Sequence, residues 1–236
     1  MSLSNRTRPT WLTFDCYGTL IQWDEGLLAY VEALLRRKGL RNAEPDQFIA
    51  FYDRHEHRLE QQRPHQNFKD ISAQSLRLTL EELGLAYDDG DAQQLNEHIR
   101  RMPPFPEVVE TLKWLKEQGF NTSIISNTDD DVIAGNVAQL HGCMDRVITA
   151  EQAQAYKPNP QLFTHAWQAL GVNKDEVLHI CASPHLDLAA ARDMGFRCVW
   201  IDRGTERRAL PDYQPDRVLN NLAQVKDLIG EWGWAR

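Results

Sequence analysis

The chain of 236 residues predicts an α/β fold, a parallel sheet flanked by helices with a helical insert behind its first strand. Three observations carry that expectation. Short apolar runs alternate with helical stretches from about Glu107 onward, the span from Glu25 to Met102 is helical in pattern throughout, and each candidate strand ends in polar residues.

The first element is a short buried strand within Pro9 to Asp15, "WLTFD", closed by a turn at Gly18. In the insert, "EGLLAYVEALLRRKG" carries apolar residues at 27, 28, 31, 34 and 35 and stops at Gly39, and "SAQSLRLTLEELG" repeats the pattern and stops at Gly84. Four helices with no strand between them are expected there. "MPPFP" then marks a boundary, because its prolines cannot continue a helix and instead start a new one near Glu107. Strands follow at 122–126, 146–150, 177–182 and 197–202, separated by helical segments ending at Gly142, Gly171 and Gly195. The tail "NLAQVKDLIGEWGWAR" reads as a last helix whose tryptophans pack against the body. The expected division is a core of residues 1–22 and 105–236 with a helical cap of 23–104.

Composition narrows the function classes. No run approaches the roughly 18 apolar residues that a membrane span needs, and no apolar segment of signal-peptide length precedes the first strand, so the chain reads as cytoplasmic. A net charge of −8 with no basic block argues against nucleic acid as a partner. Cys16, Cys143, Cys181 and Cys198 form no CxxC pair, so neither a zinc site nor a disulfide framework is expected.

In open parallel sheets ligands bind at the carboxyl ends of the strands, so the residues that follow each strand are the candidates. They are Asp15, Tyr17, Gly18 and Thr19 after the first strand; Ser126, Asn127 and Thr128 after the second; Tyr156, Lys157 and Pro158 after the third; and Ser183, His185 and Asp187 after the fourth. In this order "FDCYGTL", "IISN", "YKPNPQLF" and "DLAAARDMGF" resemble the haloacid dehalogenase (HAD) superfamily, with its DxxGT, Ser or Thr, Lys and acidic-loop motifs. The resemblance implies a Rossmann-like HAD core with an inserted helical cap. It also implies an aspartate nucleophile that forms an ester later cleaved by water. Asp15 is that candidate. Lys157 beside it would favour the charged, nucleophilic form, and Ser126 with the amides around Asn127 would hold the anionic group of a substrate.

Tyr17 decides between branches of this superfamily. Its phosphatases carry a second Asp two positions after the nucleophile to protonate a departing alkoxide, and a phenol with a pKa near ~10 is a poor substitute. A halide needs no proton, and the superfamily's hydrolytic 2-haloacid dehalogenases do have Tyr at that place. The fourth motif agrees: phosphatases show GDSxxxD, whose first Asp binds Mg²⁺, whereas this chain reads "CASPHLD" with Ala182 there and Asp187 kept. No cofactor is expected, with weak Mg²⁺ binding by Asp15 and Asp187 left open.

Pro184 stands where the 2-haloacid dehalogenases have an Asn that positions water, which leaves water activation to Asp187, with or without His185. Asp187 reads better as orienting Lys157 or the hydrolytic water than as a plain helix N-terminal acid, while His185 could equally be a solvent-exposed loop residue. Those enzymes also use a cap arginine to hold the halide; here "FYDRHEHRLEQQRPHQNF" offers Arg54 and Arg58, four apart on one helix face, which point either into the cleft or to solvent. The expected function is a 2-haloacid dehalogenase-like hydrolase acting on a small carboxylic acid. The alternatives are a hydrolase of another small 2-substituted acid such as an azetidine carboxylate (C–N bond), a phosphatase, or a catalytically weak binding protein. A homodimer through the cap is a family-level expectation.

Overall fold

Six strands form one parallel sheet in the order β3-β2-β1-β4-β5-β6: β1 Trp11–Phe14, β2 Asn121–Ser126, β3 Arg146–Thr149, β4 Val177–Cys181, β5 Arg197–Ile201 and β6 Arg217–Leu219. This computed structural model describes residues 7–40, 44–205 and 207–236. Residues 1–6, part of the leading stretch searched for a signal segment, lie outside the described residues. Among the described residues no helix is long and apolar enough to cross a membrane.

The strand residues explain why the sheet is covered on both faces. Leu12, Phe14, Ile124, Leu178, Ile180, Val199 and Ile201 enter one apolar cluster, while Ile125, Cys181, Cys198 and Trp200 enter a second. Side chains alternate along a strand, so the two clusters lie on opposite faces. The first takes up helices α5 (Val108–Glu117) and α10 (Val225–Glu231), and the second takes up α8 (Pro160–Leu170) and α9 (Ala189–Met194). All four cysteines are free and buried.

Between β1 and β2 the chain forms α1 (Trp23–Arg37), α2 (Pro45–Glu60), α3 (Phe68–Glu82) and α4 (Asp89–Ile99), followed by α5. The first four pack on one another through Leu27, Val31, Phe48, Tyr52, Leu76 and Leu95, and α2 lies against α3. Two buried polar residues fasten this insert to the strand ends. The Asp129 carboxylate accepts hydrogen bonds from the N–H groups of Phe68 and Lys69 at 2.8 and 3.0 Å, capping α3 from the core. Asn136, on α6 (Asp130–Ala138), donates through Nδ2 to the carbonyls of Ile99 and Met102 at 2.8 and 3.1 Å, which holds the returning end of the insert.

β6 is the strand that the sequence pattern does not reveal. It has three residues and no fully buried side chain, so it carries none of the apolar run by which the other strands are recognised.

Replacing Asn136 with Ala removes one donor from each of these carbonyls, which keep the Met102 N–H and the Gln139 amide, and leaves the Tyr17 hydroxyl without the Asn136 Oδ1 to which it donates. Urea unfolding of Asn136→Ala is expected to show a loss of about 2 kcal/mol, the ordinary penalty for buried polar groups left unpaired.

Candidate active site

β1 delivers Asp15 to the carboxyl edge of the sheet, where the Asp15 N–H donates to the Ile180 carbonyl of β4 at 3.0 Å. The chain then turns at Gly18, whose φ of +82° disfavours a side chain. A Cβ at that position would also meet the Arg207 guanidinium at 3.3 Å. The turn brings Thr19 back over the carboxylate: its Oγ1 donates to Asp15 Oδ2 at 2.7 Å and accepts from the Ala182 N–H at 2.8 Å. One oxygen of Asp15 is thereby fixed.

The other oxygen meets Lys157. Its ammonium lies 2.9 Å from Asp15 Oδ1 and 2.7 Å from Asp187 Oδ1, and all of Lys157 and Asp187 is buried. Asp187 sits on a short π-helical turn, Pro184–Leu188. Its Oδ1 also lies 2.9 Å from His179 Nε2, and His179 Nδ1 lies 2.9 Å from Thr13 Oγ1. A carboxylate only accepts, so the His179 proton resides on Nε2. Asp187 Oδ2 has no hydrogen-bond partner among the described residues. Burial disfavours the charge on Lys157, but Asp15 and Asp187 outweigh it, and its ammonium titrates above the ordinary lysine range. Burial likewise opposes charge on Asp187, yet Lys157 and His179 hold it below the usual carboxylate range.

This arrangement answers the question of Mg²⁺ at Asp15 and Asp187. The space between the two carboxylates is filled by an ammonium that both of them bind, and Ala182 brings no oxygen ligand where a further carboxylate would be needed. The residues do not fit a magnesium site.

Tyr17 lies on the cleft beside Asp15, its ring 5.2 Å from that of Trp23. Its hydroxyl donates to Asn136 Oδ1 at 2.9 Å, and burial pushes it well above the ordinary phenol range. Tyr17 is thus a neutral wall residue whose proton is already committed.

Ser126 and Asn127 end β2 at the same cleft. Ser126 is fully buried and its Oγ has no hydrogen-bond partner among the described residues. The Asn127 side chain is engaged: Oδ1 accepts from the Lys157 N–H at 2.7 Å, and Nδ2 lies 3.4 Å from both oxygens of Glu60. Asn127 therefore pins the loop that carries Lys157.

The cleft over Asp15 encloses about 240 Å³, room for a small organic acid and too little for a drug-sized ligand. His185 and Pro184 line it from the fourth strand end. Arg54 and Arg58 do not. Arg54 pairs with Glu82 and stacks on Phe51, and Arg58 extends into solvent beside His55. The reason lies in helix geometry: at about 100° per residue, 53, 56, 57 and 60 share one face of α2, and 54 and 58 share another. Asp53, Glu56, His57 and Glu60 line the cleft instead, together with Arg207 from the loop after β5. Sequence pattern alone cannot choose between two polar faces of one helix, and it passed over all five residues. Thr19 and His179 carried a local signal, the hydroxyl of DxxGT and a polar residue within an apolar strand.

The acidic face has unusual protonation. Burial, with Asp24 nearby, pushes Asp53 up to about 6 against the opposing Arg207. Burial and Asp53 push Glu56 up to about 8, opposed by Tyr52, and burial with Glu56 raises Glu60 well above its usual range. On the same helix face, burial, His185 and Arg207 lower His57.

Comparison with known proteins is consistent with this geometry. A family model of haloacid dehalogenase-like hydrolases matches residues 10–195. The chain is 31% identical over 230 residues to the (S)-2-haloacid dehalogenase of Pseudomonas sp. (strain YL), a match covering 92% of this chain and 93% of that one. It is 30% identical over 138 residues to haloacetate dehalogenase H-2 of Moraxella sp. (strain B), covering 58% of this chain and 61% of that protein. The structure of an L-2-haloacid dehalogenase from Xanthobacter autotrophicus with chloropropionic acid covalently bound superposes with a TM-score of 0.82 at 20% identity, covering 94% of this chain and 98% of that one, a likeness of fold.

Raised carboxyl pKa values make stability fall with pH. Glu56 favours the folded state while it is protonated, and that contribution erodes from its unfolded pKa near ~4.3 up to the folded value of about 8. Between pH 5 and 8 the loss should be on the order of 3 kcal/mol. Urea unfolding of Glu56→Gln at both pH values should show a clearly smaller decline than the parent; equal declines would remove Glu56 as the cause.

Proposed function

The chain belongs to the haloacid dehalogenase-like hydrolases, and from that premise we propose that it cleaves the carbon–halide bond of a small 2-haloacid through an ester on Asp15. The observation that carries the reading is the pairing of an oriented Asp15 with a Tyr17 whose proton is spoken for. Such a site can displace a group that leaves as a stable anion but has no core acid for one that must be protonated.

In the first step an Asp15 oxygen forms a bond to C2 while the carbon–halide bond breaks, and the halide departs with the electron pair. A single displacement inverts C2. In the second step water adds to the Asp15 ester carbonyl and gives one proton to a cleft base; as the bond from the carbonyl carbon to the substrate oxygen breaks, the base returns that proton to the departing oxygen, and the water's second proton goes to solvent as the carboxylate is restored. Thr19 and Lys157 aim the carboxylate for both steps. The Ser126 hydroxyl and the Asn127 main chain are the donors for the substrate carboxylate. His57, His185 and Arg207 supply the basic side for the departing halide. Asp187 sits behind Lys157, with its proton affinity lowered, so it serves as a positioning group for Lys157. His185, on the cleft wall, is then the candidate water base.

Halide release should be measured with chloro-, bromo- and fluoroacetate and with both 2-chloropropionate enantiomers. Asp15→Asn should lose at least about a thousandfold in rate. EDTA should leave the rate unchanged; rapid p-nitrophenyl phosphate hydrolysis that EDTA abolishes would point to a phosphatase instead. A single turnover in ¹⁸O-water should place label in Asp15, whereas label confined to the product would exclude the ester.

A further inference from the structure

The 2-haloacid reading leaves one surface of the cleft without a task. A C2 centre carries a carboxylate, a leaving group and a side chain, and the first two are served by Ser126 and by the basic side chains at the mouth. What faces the third is the acidic side of α2.

Asp53, Glu56 and Glu60 project from one helix face into the same small cleft as Asp15. Glu56 and Glu60 are 7% and 4% exposed, a degree of burial that carboxyl groups rarely tolerate without partners. Lys157 attracts Glu60 and Arg207 attracts Asp53 only from a distance, and among the described residues neither Glu56 nor Glu60 is in an ion pair. Glu60 has the Asn127 amide at 3.4 Å, whereas Glu56 Oε1 and the fully buried Tyr52 hydroxyl have no hydrogen-bond partner among the described residues. Arg207, which lines the cleft from the core side, is bound to Asp24 at 2.6 Å. Ser126, buried and without a hydrogen-bond partner among the described residues, lines this same space and marks it as built to hold a ligand. Among the described residues the one set of three potential metal ligands within 4.8 Å of one another is His179, Cys181 and Asp187; the cap carboxyls are not such a set. Their spacing suits an organic cation better than a chelated ion.

Resting on the 2-haloacid reading, we infer that the preferred substrate is a small acid whose C2 side chain ends in an amine, docked as an ammonium on Glu56 and Glu60 with Asp53 beside them. A buried carboxylate gains most from a cation that it meets out of water, while an alkyl side chain of the same size would leave the carboxyls unpaired. The raised proton affinity of all three groups in the free protein is the counterpart of that missing cation.

The test compares halide release from 2-chloro-4-aminobutyrate and from 2-chloropentanoate, which differ by an ammonium in place of a methyl group. The amine should have the higher kcat/KM by tenfold or more, and Glu56→Gln and Glu60→Gln should each shrink that ratio at least threefold. A ratio needs no knowledge of the folded fraction, and the parent protein alone already decides the first outcome. Halide release from both acids with equal preference, or preference for 2-chloropentanoate, overturns the inference and leaves the hydrolase reading intact. If neither acid releases halide, calorimetry with 4-aminobutyrate and pentanoate separates the two ideas. Tighter binding of the amine, weakened by Glu56→Gln, upholds the inference while the dehalogenase reading fails; equal or tighter binding of pentanoate overturns the inference.

Discussion

A single buried ammonium organises this protein's site. Lys157 has no access to water, and its charge is tolerable there because Asp15 and Asp187 both face it. Taking away one partner of such a group leaves an uncompensated charge in the interior, which is among the more damaging changes a protein can suffer. The orientation of Asp15 is therefore tied to the packing of the core. The same contacts fix the loop after β3 through Asn127 and the turn after β4 through Asp187 and His179.

From that constraint the character of the chemistry follows. In the phosphatases that this core resembles, a carboxylate at the place of Ala182 binds Mg²⁺; here that position offers no oxygen ligand, and the cation that faces Asp15 and Asp187 is Lys157. Charge balance around Asp15 is built in, and Tyr17 is turned away to Asn136, where it ties the cleft wall to the end of the helical insert. What the core gives up in acid chemistry it gains in a rigid wall. Further carboxyl groups, those of Asp53, Glu56 and Glu60, line the same cleft from the helical insert.

Much of the core was legible in the sequence for local reasons. Strand ends fell within a residue of expectation where an apolar run stopped at a polar residue, as at Asp15 and Ser126, and the spacing DxxGT encodes a turn that returns Thr19 to the carboxylate. The relation between Lys157 and Asp187 is long-range, but the order of motifs along a parallel sheet brings strand ends together. The cap resisted such reading. Its helices were visible, yet α2 has a basic face at Arg54 and Arg58 and an acidic one at Asp53, Glu56 and Glu60, and only packing against α3 and the core decides which turns inward. An inward arginine was one of two open readings, suggested by the resemblance to enzymes whose cap arginine holds the halide. Burial of glutamates runs against ordinary composition rules, and for that reason it is informative about what the site holds.

The central claim is that Lys157 makes Asp15 a nucleophile without help from a metal. Acid quenching after rapid mixing with the haloacid that releases halide fastest, followed by peptide mass spectrometry, measures the ester directly. The account predicts an adduct of the acid minus halide on the Asp15 peptide, present in EDTA and lost in Lys157→Met protein that still folds. No adduct at Asp15, or an adduct that persists undiminished in Lys157→Met, would contradict it.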